Sequence, residues 1–74
     1  MTKLPTVKAI KLIKILNSLG FIQTHRKGSH IFFSHPDGRT TVVPMHSSKD
    51  IGKGLLHAIL HDIKLSPEEF RKLL

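Results

Sequence analysis

Apolar residues between positions 6 and 19 recur at the spacing of an amphipathic α-helix. Those on one face of the helical wheel are Ala9, Leu12, Ile13, Leu16 and Leu19. The opposite face carries polar residues, which are Lys8, Lys11, Lys14 and Ser18. Thr6 can cap the first turn, and Gly20 can end the last one. We therefore predict a helix over residues 6–19 that buries its apolar face and exposes a stripe of lysines.

A pattern rich in aromatic and β-branched residues follows and predicts three strands, over residues 21–27, 30–35 and 40–43. The glycine-containing segments 28–29 and 36–39 between them are typical turns. Consecutive strands joined by turns this short must be antiparallel. A sheet of three strands needs helices packed over one face to be stable. The other face is then open for a ligand.

Side chains alternate along the central strand, which places two sets of residues on opposite faces of the sheet. One set is His30, Phe32 and Ser34, and the other is Ile31, Phe33 and His35. A two-residue turn at positions 37–38 would pair Phe33 with Val42 and Phe32 with Val43. A loop of three residues would change this pairing, and the sequence leaves the choice open.

The C-terminal third of the chain predicts two further helices. The first has an apolar stripe for the sheet: Ile51, Leu55, Leu56, Ile59, Leu60 and Ile63. Gly52 and Gly54 each weaken a helix by about 1 kcal/mol relative to alanine, so we expect it to begin near Gly52 or later. Residues 66–69, Ser-Pro-Glu-Glu, form a capping box that starts a short last helix. We expect that helix to pack through its apolar residues, Phe70, Leu73 and Leu74.

These elements define one α+β domain over residues 1–74, in the order α-β-β-β-α with a short C-terminal helix. The absence of cysteine excludes disulfides and thiolate metal sites. No apolar run approaches the roughly 20 residues of a membrane span, and the N-terminus lacks the layout of a signal peptide. We therefore expect a cytoplasmic protein without membrane association that is monomeric when free.

The net positive charge of the chain indicates that it binds a polyanion. Lys and Arg number 12 against 5 Asp and Glu, which gives a formal net charge of +7 and a pI near 10.3. Such a field favours nucleic acid, ahead of an anionic membrane or an acidic protein. Lys8, Lys11 and Lys14 repeat at helical spacing, so they are candidates for phosphate contacts, although a solvated helix face is the commoner role.

The candidate chemistry lies in residues 26–30, Arg-Lys-Gly-Ser-His. Arg26 and Lys27 can hold a phosphate. Gly28 lets a substrate approach the backbone, and the Ser29 hydroxyl can donate to an oxygen. His30 is suited to acid–base work on a phosphodiester, for which the 2′-hydroxyl of RNA is an internal nucleophile and no metal is required. Taken without its neighbours, His30 would be better interpreted as a structural strand histidine.

The remaining histidines have weaker signals. His46 is a candidate second acid or base, although a helix cap or a solvent position is the more common role for such a residue. His25 and His35 are interpreted as surface residues. His57 and His61 have the i, i+4 spacing of metal ligands, but no Glu follows the first, carboxylates are scarce, and no Cys is present. We therefore expect neither a metal nor another cofactor.

The chain resembles the HicA (YcfA-like) toxins of prokaryotic toxin–antitoxin pairs over nearly its whole length. The matching pieces are Leu16–Phe21 with its Gly-Phe ending, Gly-Ser-His in residues 26–30, Val-Pro-x-His in residues 42–46, residues 49–51, Gly54, Ile59-Leu60 and Ser66–Phe70. Gly-Ser-His within this order and length is the specific signal. One departure is Leu55-Leu56-His57, where the family commonly has Thr-Leu-Arg, so the arginine that the family carries there is absent from this chain.

The resemblance implies a fold like the double-stranded RNA-binding domain. It also implies a ribosome-independent mRNA endonuclease, with His30 as the essential catalytic residue and a HicB antitoxin that covers the active site. The leading hypothesis is therefore a toxin that cleaves mRNA. Two alternatives remain open: an RNA-binding module without chemistry, and a pure interaction domain whose basic face meets an acidic partner.

Overall fold

A three-stranded antiparallel sheet, with the strands in the order β2 (Ile22–Lys27), β3 (His30–Ser34) and β4 (Thr40–Pro44), forms the centre of the fold. The structure is a computed structural model that describes residues 4–45 and 50–74. Its main elements are α1 (Ala9–Ser18), β2 (Ile22–Lys27), β3 (His30–Ser34), β4 (Thr40–Pro44), α2 (Lys53–Asp62) and α3 (Pro67–Lys72), and two short strands are β1 (Val7–Lys8) and β5 (Asp50–Ile51). The predicted α+β class and the α-β-β-β-α order, as in the double-stranded RNA-binding domain, are confirmed.

The core lies between the helices and one face of the sheet. Ile31 and Phe33 of β3 and Val43 of β4 are buried there, as the period-two alternation of strands requires. The helices contribute their own buried stripes, led by Leu12, Leu16, Leu56, Ile59, Leu60 and Phe70. β2 is an edge strand and all six of its residues are exposed. None of the helices in the described parts of the chain is long and apolar enough to cross a membrane.

The N-terminal boundary of the first helix differs from the prediction. Residues 7–8 form β1, which pairs antiparallel with β5, so the helix begins only at Ala9. Thr6 therefore does not cap it; its hydroxyl donates to Asp50 Oδ2 at 3.4 Å, and the cap residue is Lys8, without a side-chain bond. Lys8 also belongs to this small sheet, 3.5 Å from Asp50 Oδ1.

The buried helix faces follow the 3.6-residue period more closely than we predicted. In α1, Ile15 is buried and Ile13 only partly so, because positions 12, 15, 16 and 19 form the i, i+3, i+4, i+7 set. In α2 the same set falls at 56, 59, 60 and 63, which leaves Leu55 41% exposed. The inclusion of Leu55 in the stripe was therefore wrong, because a four-residue spacing drifts around the helix.

The hairpin between β3 and β4 has a longer loop than the two-residue turn we considered. Phe32 pairs with Val42, and Phe33 pairs with Thr41, which is one residue away from the pairing that a two-residue turn would give. Backbone bonds across residues 35–39 close the loop, from His35 N–H to the Arg39 carbonyl and from Gly38 N–H to the His35 carbonyl, both at 2.9 Å.

Helices α1 and α2 end with the same hydrogen-bond pattern, which requires a residue with positive φ just after the helix. That residue is a glycine after α1 and a lysine after α2. After α1, the Phe21 N–H donates to the Leu16 carbonyl and the Gly20 N–H to the Asn17 carbonyl; this is the Schellman pattern, with Gly20 at φ +95°. After α2, the equivalent pattern places Lys64 at φ +56°. A side chain at such a φ costs about 1–2 kcal/mol, which glycine avoids.

Replacing Lys64 by glycine should therefore stabilise the protein. We expect the free energy of unfolding to rise by roughly 0.5–1 kcal/mol, because relief of the left-handed strain exceeds the extra chain entropy of glycine. Thermal melts should show a Tm higher by about 2–8 °C. Lys64→Ala removes the same charge without relieving the backbone and should give no such gain; an equal gain from Lys64→Ala would show that charge, not backbone strain, is responsible.

The predicted capping box of α3 is confirmed. The Ser66 hydroxyl accepts from the Glu69 N–H, and the Glu69 carboxylate accepts from the Ser66 N–H, both at 3.1 Å. The hydrogen bond from the Ser66 backbone N–H to the carboxylate, followed by one with the Ser66 side chain, holds the pKa of Glu69 below its ordinary value. Phe70 is fully buried, but Leu73 and Leu74 are 40% and 45% exposed, so their predicted packing was wrong.

Candidate functional site

His30 is the first residue of β3 and lies on the sheet face that the helices leave uncovered. Its neighbours along the strand, Ile31 and Phe33, point into the core, whereas His30 is exposed. Across the sheet it pairs with Lys27 on one side and Pro44 on the other. The imidazole therefore stands at the end of the central strand, open to solvent, with an ammonium group on the neighbouring strand.

The turn before His30 depends on Gly28. Gly28 and Ser29 are the only two residues between the paired Lys27 and His30, and Gly28 has a φ of +60°. A glycine with positive φ at the first of two turn positions is the arrangement of a type II′ hairpin. A Cβ at Gly28 would meet nothing within 4 Å, so the space beside the turn is open. The Met45 N–H donates to the Ser29 carbonyl at 2.6 Å, which ties this turn to the end of β4.

A β-bulge in the edge strand decides which residues stand beside His30. The register of β2 against β3 shifts between Gln23 and His25, so Thr24 is the extra residue. Without the shift, Arg26 would pair with His30 and His25 with Ile31. With it, Lys27 pairs with His30, and His25 pairs with Phe32 on the open face.

Arg26 and Lys27 consequently occupy different places. Lys27 is the cross-strand neighbour of His30 and is exposed. Arg26 pairs with Ile31, and its Nε donates to the Gly28 carbonyl at 2.9 Å, so its guanidinium lies against the turn. The structure thus brings both predicted phosphate contacts to the turn, but only Lys27 lies directly across from His30.

The lysines of the first helix are not part of this cluster. Lys11 and Lys14 are exposed on α1, in the layer that packs on the covered face of the sheet, whereas His30 is on the opposite face. Lys8 lies in β1 beside Asp50. These three cations contribute to the field around the domain rather than to the surroundings of His30.

His46, the candidate second acid or base, lies outside the described residues. His25 is exposed, as predicted, but its ring stacks on Phe32 with centroids 4.1 Å apart and planes 10° apart. This pair was missed, because no local signal in the sequence marks the bulge that creates it.

His35 is not the surface residue that we predicted. Its Nε2 donates to the Leu19 carbonyl at 3.1 Å, its Nδ1 accepts from the Asp37 N–H at 3.1 Å, and its ring packs edge-on against Phe21. Desolvation alone would raise the pKa of the Asp37 carboxyl, but hydrogen bonds from the Arg39 backbone and guanidinium outweigh this and lower it. His35 therefore joins the end of α1 to the β3–β4 loop, away from the open face.

His57 and His61 are both exposed on α2. Across residues 4–45 and 50–74, no group of three or more His, Asp or Glu side chains is placed to hold a metal ion. The side chains that the open face presents beside the turn are those of His30 and Lys27. An imidazole can move a proton, and the ammonium of Lys27 can hold an anion beside it.

The fold and this face define a small, basic α+β domain like the double-stranded RNA-binding domain, with a solvent-exposed histidine at the end of its central strand. The family model described as the HicA toxin of bacterial toxin–antitoxin systems matches residues 9–65 of the 74. The chain therefore belongs to the HicA toxin family, which makes it the toxin of a toxin–antitoxin pair and confirms the resemblance. A search of the curated proteins gives no match.

Proposed function

We propose that this toxin is a ribosome-independent endoribonuclease that cleaves mRNA with His30 as its catalytic residue, without a metal, and that a HicB-type antitoxin inhibits it by covering the open face. The observation that carries the proposal is the exposed imidazole of His30 paired across the sheet with Lys27. Membership of a toxin family and the formal charge of +7 support RNA as the target.

The proposed reaction is transfer of the phosphodiester to the 2′-oxygen of the same nucleotide. The 2′-hydroxyl loses its proton, its oxygen bonds to phosphorus, and the bond to the 5′-oxygen of the next nucleotide breaks. That leaving oxygen takes up a proton, so the products are a 2′,3′-cyclic phosphate and a 5′-hydroxyl. His30 moves one of these protons, while Lys27 stabilises the charge on the phosphoryl oxygens. The open space beside Gly28 leaves room for the backbone of the RNA.

Purified RNA provides the direct test of this reaction. We expect the free toxin to cut single-stranded RNA without ribosomes, equally well with and without EDTA, and to leave cyclic phosphate ends. An otherwise identical oligonucleotide with a 2′-deoxy residue at the cleaved position should resist, because it lacks the nucleophile. Cutting of the deoxy substrate would exclude the mechanism. RNA that is bound with a steep salt dependence yet stays intact would favour a non-catalytic binding module.

A further inference from the structure

The open face carries an aromatic pair that the proposed reaction does not use. His25 of the edge strand stacks on Phe32 of the central strand, with ring centroids 4.1 Å apart. Phe32 is two residues beyond His30 on the same face of β3, which places the two about 7 Å apart along the strand. The pair therefore lies one side-chain position away from the imidazole assigned to catalysis.

We propose that this pair is a stacking platform for an RNA base next to the cleaved phosphate, an inference that rests on the proposed function. Base stacking on aromatic side chains is the usual way in which a protein holds unpaired nucleotides. Lys27, which pairs with His30 across the sheet, supplies the positive charge that the adjoining phosphate requires. The ligand is thus a single-stranded segment of RNA, with its phosphate at His30 and one neighbouring base on the His25 ring.

The geometry leaves one face of His25 available for such a base. Its contacts within the described residues are with Phe32 and with the Thr24 hydroxyl, whose Oγ1 is 3.3 Å from Nδ1. β2 is the edge of the sheet, so no strand of the three-stranded sheet lies beyond His25. Phe32 stacks on one face of the imidazole, and His25 as a residue is exposed to solvent, so a base can approach the other face.

The surroundings of the pair also suit a base. A cleft of about 430 Å³ is lined by both rings together with Thr24, Ser34 and Thr40, among others. That volume is within the usual range for small-molecule sites. The three hydroxyls are donors and acceptors for the polar edge of a base, while the rings meet its apolar faces.

The bulge at Thr24 produces both the pairing of His25 with Phe32 and the pairing of Lys27 with His30. One extra residue in β2 brings His25 opposite Phe32 and Lys27 opposite His30 at the same time. Bulges are over-represented next to active sites, where they redirect a side chain. The same irregularity thus sets both the phosphate contact and the base contact.

The test combines a change in the protein with a change in the RNA. In the wild-type toxin, replacing the base on one side of the cleaved phosphate by an abasic residue should raise KM by roughly 5- to 150-fold, the usual cost of one lost stack. His25→Ala should raise KM for the intact RNA similarly with little change in kcat. The abasic substitution should then have little further effect on His25→Ala, because the stack is already absent.

His25→Phe separates stacking from proton transfer, because it keeps a ring and removes both nitrogens. It should retain a KM close to that of the wild type. His61→Ala is the matched control, since it removes an exposed imidazole from α2 and should leave KM unchanged. An unaltered KM in His25→Ala, or an abasic penalty that is the same in His25→Ala and wild type, would overturn the platform.

Binding to uncut RNA makes the result independent of the proposed cleavage. In a His30→Ala background, affinity for the intact oligonucleotide should fall by the same factor when His25→Ala is added. If the wild-type toxin cuts no RNA but this loss of affinity is seen, the cleavage proposal fails and the platform stands. If cleavage is seen and the affinity does not change, the platform fails and the cleavage proposal stands.

Discussion

His30→Ala should abolish RNA cleavage and growth inhibition while the domain stays folded. A positioned general acid or base typically contributes 10²–10⁴-fold in rate, so we expect the rate of cleavage to fall by at least about 100-fold. The imidazole is exposed at the start of β3, and surface substitutions usually change stability by within about 0.5 kcal/mol. The measurement is single-turnover cleavage of a defined RNA, beside a thermal melt of the same preparation.

His61→Ala is again the control, because it removes an exposed histidine from the helix layer and should cut RNA at the wild-type rate. Retention of RNA affinity in His30→Ala would show that the lost rate is lost chemistry rather than lost binding. A His30→Ala variant that is still toxic and still cuts RNA would contradict the assignment, and the catalytic group would then lie elsewhere.

The parts of the fold that could be predicted are those set by local patterns. Helix and strand periods, the stop at Gly20 and the capping box at Ser66 each depend on residues within one or two turns of each other. The pairing of β1 with β5 depends on Val7 meeting Ile51, far apart in the chain, so no local pattern reveals it. Thr6 was assigned to a helix cap for the same reason: its actual partner is Asp50.

The choice of loop after β3, which the sequence leaves open, is decided by side chains outside the two-residue turn. His35 bonds to the Leu19 carbonyl, and Arg39 bonds to Asp37 and to the Ile63 carbonyl at the end of α2. These contacts hold a five-residue connection in place of the two-residue turn that Asp37-Gly38 favours on its own. Tertiary contacts here prevailed over a strong local turn signal.

The candidate site was predictable in composition but not in arrangement. The sequence places a glycine turn directly before His30, and the structure places both on the open face as alternation requires. Which cation stands across from His30 depends on the bulge at Thr24, and a single register shift exchanges Arg26 for Lys27. The stacking of His25 on Phe32 follows from the same shift and was not visible beforehand.

Phe70→Ala should strongly destabilise the protein. The family match ends at residue 65, yet the Phe70 ring on α3 is fully buried with Leu60 and Ile63 in the main cluster. Truncation of a buried phenylalanine costs about 3–5 kcal/mol through lost burial and the cavity left behind. At roughly 0.05–0.15 kcal/mol per residue, a domain of 74 residues has only about 4–11 kcal/mol in total.

Denaturant unfolding of wild type and Phe70→Ala measures this directly, and we expect the variant to be largely unfolded at 37 °C or to show a much lower midpoint. Leu74→Ala is the matched control on the same segment; its side chain is 45% exposed, so the change should cost less than about 0.5 kcal/mol. A loss of similar size in both variants would mean that the leucine following α3 also packs on the core. A small loss in Phe70→Ala would mean that residues 4–65 hold the core without α3, and that the capping box at Ser66 serves only the short helix it begins.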